Sequence, residues 1–491
     1  MRGALLVCGT TSDAGKSTVV GGLCRLLARR GVAVAPFKAQ NMANNSWVTL
    51  DGGEIGRSTA AQALAAGIEP TVEMNPILLK PSGDRRSQLI VSGRPDAQLE
   101  AAGYYDRVEA LRPVVHDALA ALRRRHDVVL CEGAGSPAEI NLLERDLVNL
   151  SLARDADMAA VIVGDIERGG VFASLFGTVE LLPPDLRAVV GGFVINRFRG
   201  DPALLEPGPT MLEERCGVPT VGVLPHLGAL PIDGEDTLVL DRWGGGGGSP
   251  SAGRALDVAL VALPRISNFT DLDALAAEPA VSVRLVHRAE QLGRPDLVVL
   301  PGTKSTVADL DWLRAVGLDD AVRAAEAAGS TVLGICGGYQ MLGRTIDDPV
   351  ESGRGIVDGL GVLDVETVFA PDKLVERCRG RALGAALDGY RIHHGRVVGG
   401  TPWVELDGSG PEGSASGGWW GTTVHGCLDG DDVRAAFLAR VAERSGRTWA
   451  LSGVRFAEVR SRQYDRVADA IEEHVDLGRL ERLIEVGAVS P

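Results

Sequence analysis

The chain has 491 residues, of which 45% are hydrophobic and 23% charged, and its formal net charge is −15. A chain of this length is too long to fold around a single hydrophobic core. Its composition is that of a globular protein rather than a disordered or fibrous one. The acidic balance disfavours nucleic acid as a partner, because phosphate neutralisation needs a basic face. No apolar run reaches the roughly 18 residues of a membrane-spanning helix, and scattered cysteines without a C-x-x-C pair suit a reducing compartment. We therefore predict a cytoplasmic protein without a membrane span, of undetermined oligomeric state.

The first predicted elements form a strand, a loop and a helix. An apolar run from Ala4 to Cys8 precedes a glycine-containing loop, and a helical pattern extends from Lys16 to about Arg30. Further apolar runs alternate with helix-length stretches, which is typical of an α/β fold with a parallel sheet covered on both faces. The predicted strands are Val32–Phe37, Val128–Cys131, Ala160–Val163, Gly192–Ile195 and Thr220–Val223.

The first loop has the composition of a phosphate-binding loop. Backbone N–H groups between a strand and a helix N-terminus can hold phosphates, with Lys16 neutralising the terminal phosphates of ATP and Ser17 binding Mg²⁺. Five residues separate Gly9 from Gly15, one more than in the strict pattern, and this spacing resembles the dethiobiotin synthetase branch of P-loop proteins. The predicted ATP-binding residues are Thr10, Thr11, Ser12, Asp13, Ala14, Gly15, Lys16, Ser17 and Thr18.

An acidic residue ends a later strand of the same sheet. Glu132 follows the apolar run Val128–Cys131, and ligands of open α/β sheets gather at the carboxyl ends of the strands. We predict Glu132 as a second Mg²⁺ ligand; the alternative is a capping or surface carboxylate. Asp165 also follows a predicted strand and is a weaker candidate for the same role. Asp13 lies within the loop and is a candidate for contact with the metal or the substrate.

A glycine-rich segment divides the chain. Residues 241–254 include five consecutive glycines, which cannot hold regular structure and are expected to form a flexible linker. Strand and helix patterns resume beyond it, so a second α/β domain is expected. The predicted division is a P-loop NTPase-like domain at 1–240, the linker at 241–254, a second domain at 255–445 and a helical segment at 446–491.

The second domain contains a nucleophile elbow. Cys336 follows the apolar run Thr331–Leu333 within a G-x-C-x-G sequence, which places a side chain on a sharp turn clear of the sheet. The N-terminus of the next helix favours its thiolate. The alternative is a buried structural cysteine. We predict that the backbone N–H groups of Gly302 and Gly337 form an oxyanion hole; the alternative for Gly302 is a plain turn residue.

A thiol nucleophile needs a base, and His425 lies late in the same domain. His393 and His394 are the competing candidates. Glutamine amidotransferases of the triad class, which this domain resembles, usually carry a glutamate two residues after the histidine, whereas Cys427 stands there. The third member is therefore missing or supplied from elsewhere, and a Cys336–His425 dyad is the expectation.

Longer runs resemble the cobyric acid synthase family over nearly the whole chain. These runs are Pro36–Met42, Met74–Pro81, Glu132–Asn141, Gly164–Phe172, Pro264–Asp271 and Gly334–Gly343. The resemblance implies a glutamine-hydrolysing domain that supplies ammonia to an ATP-dependent amidoligase domain. It also implies a corrinoid polycarboxylate substrate, adenosylcobyrinic acid a,c-diamide, whose b, d, e and g carboxylates are amidated in turn.

An acidic chain needs local cations to bind such a substrate. We predict candidates among Lys38, Lys80, Arg168, Arg197 and Arg199, each of which is alternatively a solvated surface charge. The nearest alternative activity is that of the sister enzyme that makes the a,c-diamide, although the Pro264–Asp271 run favours the later enzyme. A regulatory P-loop ATPase with an inactive second domain is the alternative from another class.

Overall fold

The computed structural model describes residues 1–83, 86–100, 103–104, 106–228, 256–450 and 452–487. The predicted linker at 241–254 lies outside the described residues. Within the described ranges, no helix is long and apolar enough to cross a membrane.

The first half of the chain is built on a six-stranded parallel sheet. Strand β1 lies at its centre, and both of its faces are buried because helices cover the sheet on both sides. This confirms the predicted parallel α/β arrangement. From edge to edge, the strands are β12 (Thr220–Pro225), β11 (Val190–Phe198), β10 (Ala159–Asp165), β1 (Gly3–Gly9), β9 (Val128–Glu132) and β2 (Val34–Phe37).

Two hydrophobic layers hold the helices of this half against the sheet. Val20, Leu23 and Leu27 of the first helix recur on one side of the helix and pack on one sheet face. Leu111 and Leu119 of the long third helix pack on the opposite face. The helices are α1 (Lys16–Arg29), α2 (Arg57–Ala65), α3 (Val108–Arg125), α4 (Leu150–Asp155), α5 (Val171–Glu180), α6 (Pro184–Arg187), α7 (Pro202–Leu205) and α8 (Pro207–Cys216).

A smaller sheet is inserted between β2 and α3. It is formed by β3 (Gln40–Met42), β6 (Ile77–Pro81), β7 (Arg86–Val91) and β8 (Arg94–Glu100). A separate hairpin, β4 (Ser46–Val48) and β5 (Glu54–Gly56), precedes β6. The hairpin reaches the second half of the chain.

The second half contains another six-stranded sheet. It is parallel except for one edge strand, β25 (Ser414–Ser416), which pairs antiparallel with β26 (Trp419–Thr422). In order, its strands are β15 (Val281–Val286), β13 (Leu256–Val261), β16 (Leu297–Leu300), β18 (Thr331–Ile335), β26 (Trp419–Thr422) and β25 (Ser414–Ser416). Its helices are α9 (Asp273–Ala276), α10 (Ala289–Leu292), α11 (Thr306–Ala315), α12 (Leu318–Ala327), α13 (Gly337–Leu342) and α14 (Asp431–Arg444).

Two further groups of strands complete this half. A two-stranded pair joins β14 (Ile266–Ser267) to β17 (Gly302–Thr303). A mostly antiparallel sheet contains two long strands that pair over most of their length, β21 (Val365–Ala382) and β22 (Ala385–Gly399). Its shorter strands are β19 (Thr345–Asp348), β20 (Gly355–Asp358), β23 (Val404–Leu406) and β24 (Gly410–Glu412).

The C-terminal segment returns to the first half as two helices, α15 (Phe456–His474) and α16 (Leu477–Val486). Helix α15 packs on α1, where Gly22 leaves room for it: a Cβ atom at Gly22 would lie 2.4 Å from Val467 Cγ1. The Arg25 guanidinium donates two hydrogen bonds to the Asp465 carboxylate, at 2.8 and 3.0 Å. The helix that begins at the phosphate loop is therefore held from the far end of the chain.

A buried charge cluster joins the two halves. The Glu54 carboxylate of β5 is fully buried, with Lys80 Nζ from the same half at 2.6 Å and Lys373 Nζ from the other half at 2.5 Å. Burial by itself would raise the pKa of Glu54, but the two ammonium groups hold it below its usual range. An unpaired buried carboxylate is costly, so this site favours the docked arrangement.

Replacing Glu54 tests this cluster. Glu54→Gln leaves two buried cations without their counter-ion, and we expect it to lower stability by about 3–5 kcal/mol, measured from the midpoint of urea unfolding. Glu109→Gln, at a surface pair whose Glu109 side chain is 79% exposed, serves as the control and should change stability by less than about 1 kcal/mol. Equal midpoints for the two variants would show that the cluster does not stabilise the docked chain.

Candidate active sites

The loop after β1 has the geometry of a phosphate-binding loop. Gly15 precedes α1 with a φ of 101°, a left-handed conformation that favours glycine. A Cβ atom there would lie 2.1 Å from Asn196 Nδ2, which donates a 2.9 Å hydrogen bond to the Ala14 carbonyl. The position therefore requires glycine both for its backbone conformation and for the close approach of β11.

Lys16 lies folded over this loop and is only 4% exposed. Its ammonium group donates hydrogen bonds to the carbonyl oxygens of Thr11, Ser12 and Gly135, at 2.8, 3.0 and 3.2 Å. These contacts fix the cation at the mouth of the loop. It is in the position from which a lysine of this kind contacts terminal phosphates.

Glu132 and Ser17 are brought together, as predicted for a shared metal site. Ser17 Oγ donates to Glu132 Oε1 at 2.8 Å, and Lys38 Nζ lies 2.9 Å from the same oxygen. Gln62 donates to the other carboxylate oxygen. Among the described residues no cluster of three or more His, Cys, Asp or Glu side chains is present. One hydroxyl and one carboxylate suit Mg²⁺, which takes few protein oxygens and completes its shell with phosphates and water.

The predicted cations occupy different places. Arg197 has a φ of 62° and pairs with Asp13 and Asp165, with shortest distances of 3.1 and 2.7 Å, so it braces the phosphate loop. Arg199 pairs with Glu167 at 3.0 Å on the surface, and Arg168 is exposed in the turn after β10.

A cleft of about 440 Å³ lies beside the phosphate loop. Ser12, Lys16 and Lys38 line one side of it, and Met42 and Leu79 of the smaller sheet line another. Of the five predicted substrate-binding cations, only Lys38 lines this cleft. Lys80 lines the cavity that contains Cys336 instead, because β6 carries it towards the second half.

Cys336 stands on a strained turn between β18 and α13. Its φ of 51° is rare for a residue with a side chain and is typical of a nucleophile elbow. The flanking glycines are sterically required, since a Cβ atom at Gly338 would lie 2.0 Å from the Leu300 carbonyl oxygen. The thiol is 7% exposed.

His425 is held by an acid that the sequence analysis did not assign. Its Nδ1 lies 2.7 Å from Asp271 Oδ2, and the backbone N–H of Gly426 donates to Asp271 Oδ1 at 2.8 Å. Asp271 ends the Pro264–Asp271 run, yet 154 residues separate it from His425. An orienting carboxylate is therefore present, so the expectation of a dyad is replaced by a Cys336–His425–Asp271 arrangement.

The electrostatics favour a protonated His425. Burial by itself would lower its pKa, but the Asp271 carboxylate, together with Cys336, raises the pKa to about 10. The imidazole also stacks on Tyr390, with ring centroids 5.3 Å apart. At neutral pH this histidine is therefore a cation beside Cys336.

The competing histidines line the same cavity in a neutral state. His393 Nδ1 lies 2.6 Å from the Gly395 carbonyl oxygen, and burial lowers its pKa to about 3. Burial also lowers the pKa of His394, whose Nδ1 lies 3.0 Å from the Ala370 carbonyl oxygen. Cys427 is fully buried, and burial raises its pKa well above the usual range, so its thiol carries no charge.

The two predicted oxyanion-hole glycines lie beside this arrangement. A Cβ atom at Gly302 would lie 3.0 Å from His425 Cε1, and one at Gly337 would lie 2.6 Å from Thr303 Cγ2. Both positions therefore exclude side chains close to Cys336 and His425. Their role as oxyanion donors stays a prediction.

Each half of the chain matches a known protein family. Residues 5–237 match the family described as CobQ/CobB/MinD/ParA nucleotide binding domain, and residues 257–433 match the CobB/CobQ-like glutamine amidotransferase domain. A protein named cobyric acid synthase from Nocardia farcinica is 56% identical over 508 residues, covering 99% of this chain and 98% of the relative. Another of that name from Rhodococcus jostii is 54% identical over 493 residues, with 99% and 96% covered. A third, from Streptomyces avermitilis, is 53% identical over 498 residues, with 100% and 98% covered.

Replacing Asp271 by asparagine tests the electrostatic role of this carboxylate. A raised pKa means that His425 stays protonated until the pH rises through about 10. Asp271→Asn removes the opposite charge and should lower that pKa by about 1–3 units. The alkaline limb of the pH profile for glutamine hydrolysis should move down accordingly, and kcat should fall by about 10³-fold or more. An unmoved alkaline limb would contradict this assignment.

Cys427→Ser is expected to be nearly silent, because a neutral thiol cannot orient an imidazole as a carboxylate does. Its glutamine hydrolysis should remain within about tenfold of the parent, roughly 1.4 kcal/mol in the barrier. A loss as large as that of His425→Ala, measured under the same conditions, would place Cys427 in the catalytic machinery.

Proposed function

This chain belongs to the cobyric acid synthase family of cobalamin biosynthesis, whose members are glutamine-hydrolysing amidoligases, and we propose that it amidates adenosylcobyrinic acid a,c-diamide. The proposed products are the amides of the b, d, e and g carboxylates, giving adenosylcobyric acid. The observation that carries this proposal is the docking of the Cys336–His425–Asp271 cavity against the half that contains the phosphate loop. Lys80 of that half lines the cavity itself. The expected cytoplasmic setting stays a prediction.

The second half would release ammonia from glutamine. The Cys336 thiolate attacks the side-chain carbonyl carbon, and the His425 imidazolium donates its proton to the departing nitrogen, so that ammonia leaves and a glutamyl thioester remains. Water then attacks the thioester while His425 accepts its proton, and glutamate leaves as the thiolate is restored. Asp271 keeps Nδ1 of the imidazole protonated and oriented throughout.

Two backbone groups would stabilise the charge that develops on the carbonyl oxygen. Gly302 and Gly337 lie next to His425 and Thr303, where their N–H groups are proposed to donate to this oxygen. The absence of side chains at both positions leaves room for the tetrahedral intermediate.

The first half would activate the corrinoid carboxylate. The loop Thr10–Thr18 is proposed to hold ATP, with Lys16 exchanging its carbonyl contacts for phosphate oxygens. Ser17 and Glu132 would hold Mg²⁺, which when bound neutralises charge on the phosphates. A substrate carboxylate attacks the terminal phosphorus, forming an acyl phosphate and ADP. Ammonia then attacks the acyl carbon, phosphate leaves, and an amide remains.

The cleft beside the loop is the proposed corrinoid site. Met42 and Leu79 supply apolar surface there, as a macrocycle requires, and Lys38 supplies a cation held at Glu132. Arg168, Arg197 and Arg199 remain further candidates at the carboxyl edge of the sheet. Lys80 is proposed to act at the interface of the two halves, since it pairs with the buried Glu54.

The substrate assignment is tested by incubating the protein with ATP, magnesium, glutamine and the a,c-diamide, and counting the new amides by mass spectrometry. Conversion of the b, d, e and g carboxylates, which adds four amides, is the expected result. Amidation of cobyrinic acid at only the a and c positions, with the a,c-diamide left unreacted, would identify the sister activity instead. No amidation of any corrinoid would overturn the proposal.

The division of labour between the two sites gives a further prediction. Cys336→Ala and His425→Ala should abolish glutamine-dependent amidation yet retain synthesis with added ammonium salts, because only ammonia release uses the thiol. Lys16→Ala should abolish synthesis with either nitrogen source, since the acyl phosphate cannot form. His393→Ala should not abolish glutamine-dependent synthesis as His425→Ala does, because burial keeps His393 neutral and the base is His425. Ammonium-dependent synthesis by Lys16→Ala would disprove the role of the loop.

A further inference from the structure

A buried ion pair separates two hollows in the second half. Lys304 Nζ lies 2.5 Å from Glu351 Oε1, and the two side chains are only 7% and 16% exposed. On one side of the pair is the inner cavity of about 30 Å³ that contains Cys336 and His425. On the other is an outer cleft of about 600 Å³, lined by residues that include Ser82 and Arg354. Lys304, Thr306 and Glu351 line both hollows.

The inner cavity is too small for an amino acid. A single water needs roughly 10–15 Å³ measured in this way, so about 30 Å³ accommodates only a few waters. A glutamine that reaches Cys336 must therefore extend beyond this cavity, and the Lys304–Glu351 pair is at the boundary where its remaining part would lie. With its carboxamide at the thiol, the opposite end of glutamine would meet these two charges.

The inner cavity also presents polar atoms that lack protein partners. Gln340 Nε2 and His393 Nε2 are buried without a hydrogen-bond partner, and both side chains line the cavity. Because His393 Nδ1 faces the Gly395 carbonyl oxygen, Nδ1 carries the proton and Nε2 is left as an acceptor. Unpaired buried polar atoms are costly, and a polar ligand in this cavity would satisfy them.

Glu351 is held in place by the turn on which it lies. The buried Asp348 carboxylate accepts hydrogen bonds from the backbone N–H groups of Val350, Glu351 and Ser352, at 3.1, 2.7 and 2.9 Å. Lys304 lies two residues after Gly302, between β17 and α11, and its own N–H donates to the Arg265 carbonyl at 3.0 Å. Both charges are therefore positioned by backbone contacts relative to the nucleophile.

We propose that Lys304 and Glu351 form the recognition site for the charged head group of glutamine, with the lysine taking the α-carboxylate and the glutamate taking the α-ammonium. This inference rests on the proposed glutamine hydrolysis at Cys336. The head group carries one charge of each sign on a single carbon, so it can replace the internal ion pair with two ligand contacts. Each buried charge is then compensated both before and after binding.

The charge state of the pair is consistent with this role. Burial by itself would lower the pKa of Lys304, but Glu351 outweighs it and the pKa is raised. The lysine therefore stays cationic at neutral pH and can bind a carboxylate. Lys373 and Glu54 lie near enough to contribute to the same electrostatic environment.

The test compares three amides in the intact protein: glutamine, glutaramate, which lacks the α-ammonium, and γ-aminobutyramide, which lacks the α-carboxylate. The parent should prefer glutamine to both by about 10²–10⁴-fold in kcat/KM, since buried charges left unpaired penalise the incomplete ligands. Lys304→Met should raise KM for glutamine by about 10²-fold and change γ-aminobutyramide hydrolysis least. Glu351→Gln should show the converse selectivity, affecting glutaramate least.

The double variant Lys304→Met/Glu351→Gln removes both charges together and covers the case in which a single unpaired charge prevents folding. It should lose the preference for glutamine to within about tenfold. Arg354→Gln is the matched control, because its exposed pair with Asp311 lines the same outer cleft; its KM should stay within about threefold of the parent.

The outcomes distinguish this inference from the function on which it rests. A parent protein that hydrolyses none of the three amides would contradict the proposed glutaminase itself. A parent that hydrolyses glutamine, with a double variant that retains its selectivity, would overturn the recognition site alone. Equal losses for all three amides would assign the pair a structural role and would also overturn it. Glutamine binding to Cys336→Ala by calorimetry, weakened when Lys304→Met is added, would support the site independently of turnover.

Discussion

The arrangement of the whole chain depends on one buried carboxylate. Glu54 has no exposure, and it takes one counter-ion from its own half and the other from Lys373 across the interface. Separating the halves would leave this charge with a single partner, and the cost of an uncompensated buried charge is several kcal/mol. Burial lowers the pKa of Lys373 to about 8 despite the nearby carboxylate, so each member of the cluster depends on the others. This electrostatic requirement therefore favours a closed interface between the half that contains the phosphate loop and the half that contains Cys336.

The same interface also supports His425. Tyr390 stacks on His425 and donates to the Ser46 carbonyl of the first half at 3.1 Å. The backbone N–H of Ser46 donates a hydrogen bond to Asn268 Oδ1 at 2.8 Å. Asn268 lies three residues before Asp271 in the sequence. The β4–β5 hairpin therefore contacts Tyr390, which stacks on the imidazole of His425, and Asn268, which lies close in sequence to Asp271. The geometry of the Cys336–His425–Asp271 site is therefore set partly by the half that contains the phosphate loop.

A second connection passes through helix α15 (Phe456–His474). Its N-terminal part contacts the histidine loop, where Arg460 pairs with Asp429 at 3.2 Å. Further along, Asp465 pairs with Arg25 of α1, the helix whose N-terminus forms the phosphate loop. This one helix therefore spans from the neighbourhood of His425 to the helix that begins at the phosphate loop.

The sequence alone determined the features that depend on local order. Alternating apolar runs and helical stretches predicted the parallel sheet of the first half and the α/β class of the second. The glycine spacing predicted the phosphate loop, and the G-x-C-x-G sequence predicted a sharp turn at Cys336. Only the tertiary structure decided which distant residues meet. Asp271 contacts His425 although 154 residues separate them. Lys80 lines the cavity that contains Cys336 rather than the cleft beside the phosphate loop. Lys304 and Glu351, which form an ion pair, come from separate loops. The smaller sheet between β2 and α3 was equally unpredicted. The physical reason is that periodicity and turn chemistry record a residue's near neighbours, whereas pairing of buried charges is fixed by packing between elements that no local pattern encodes.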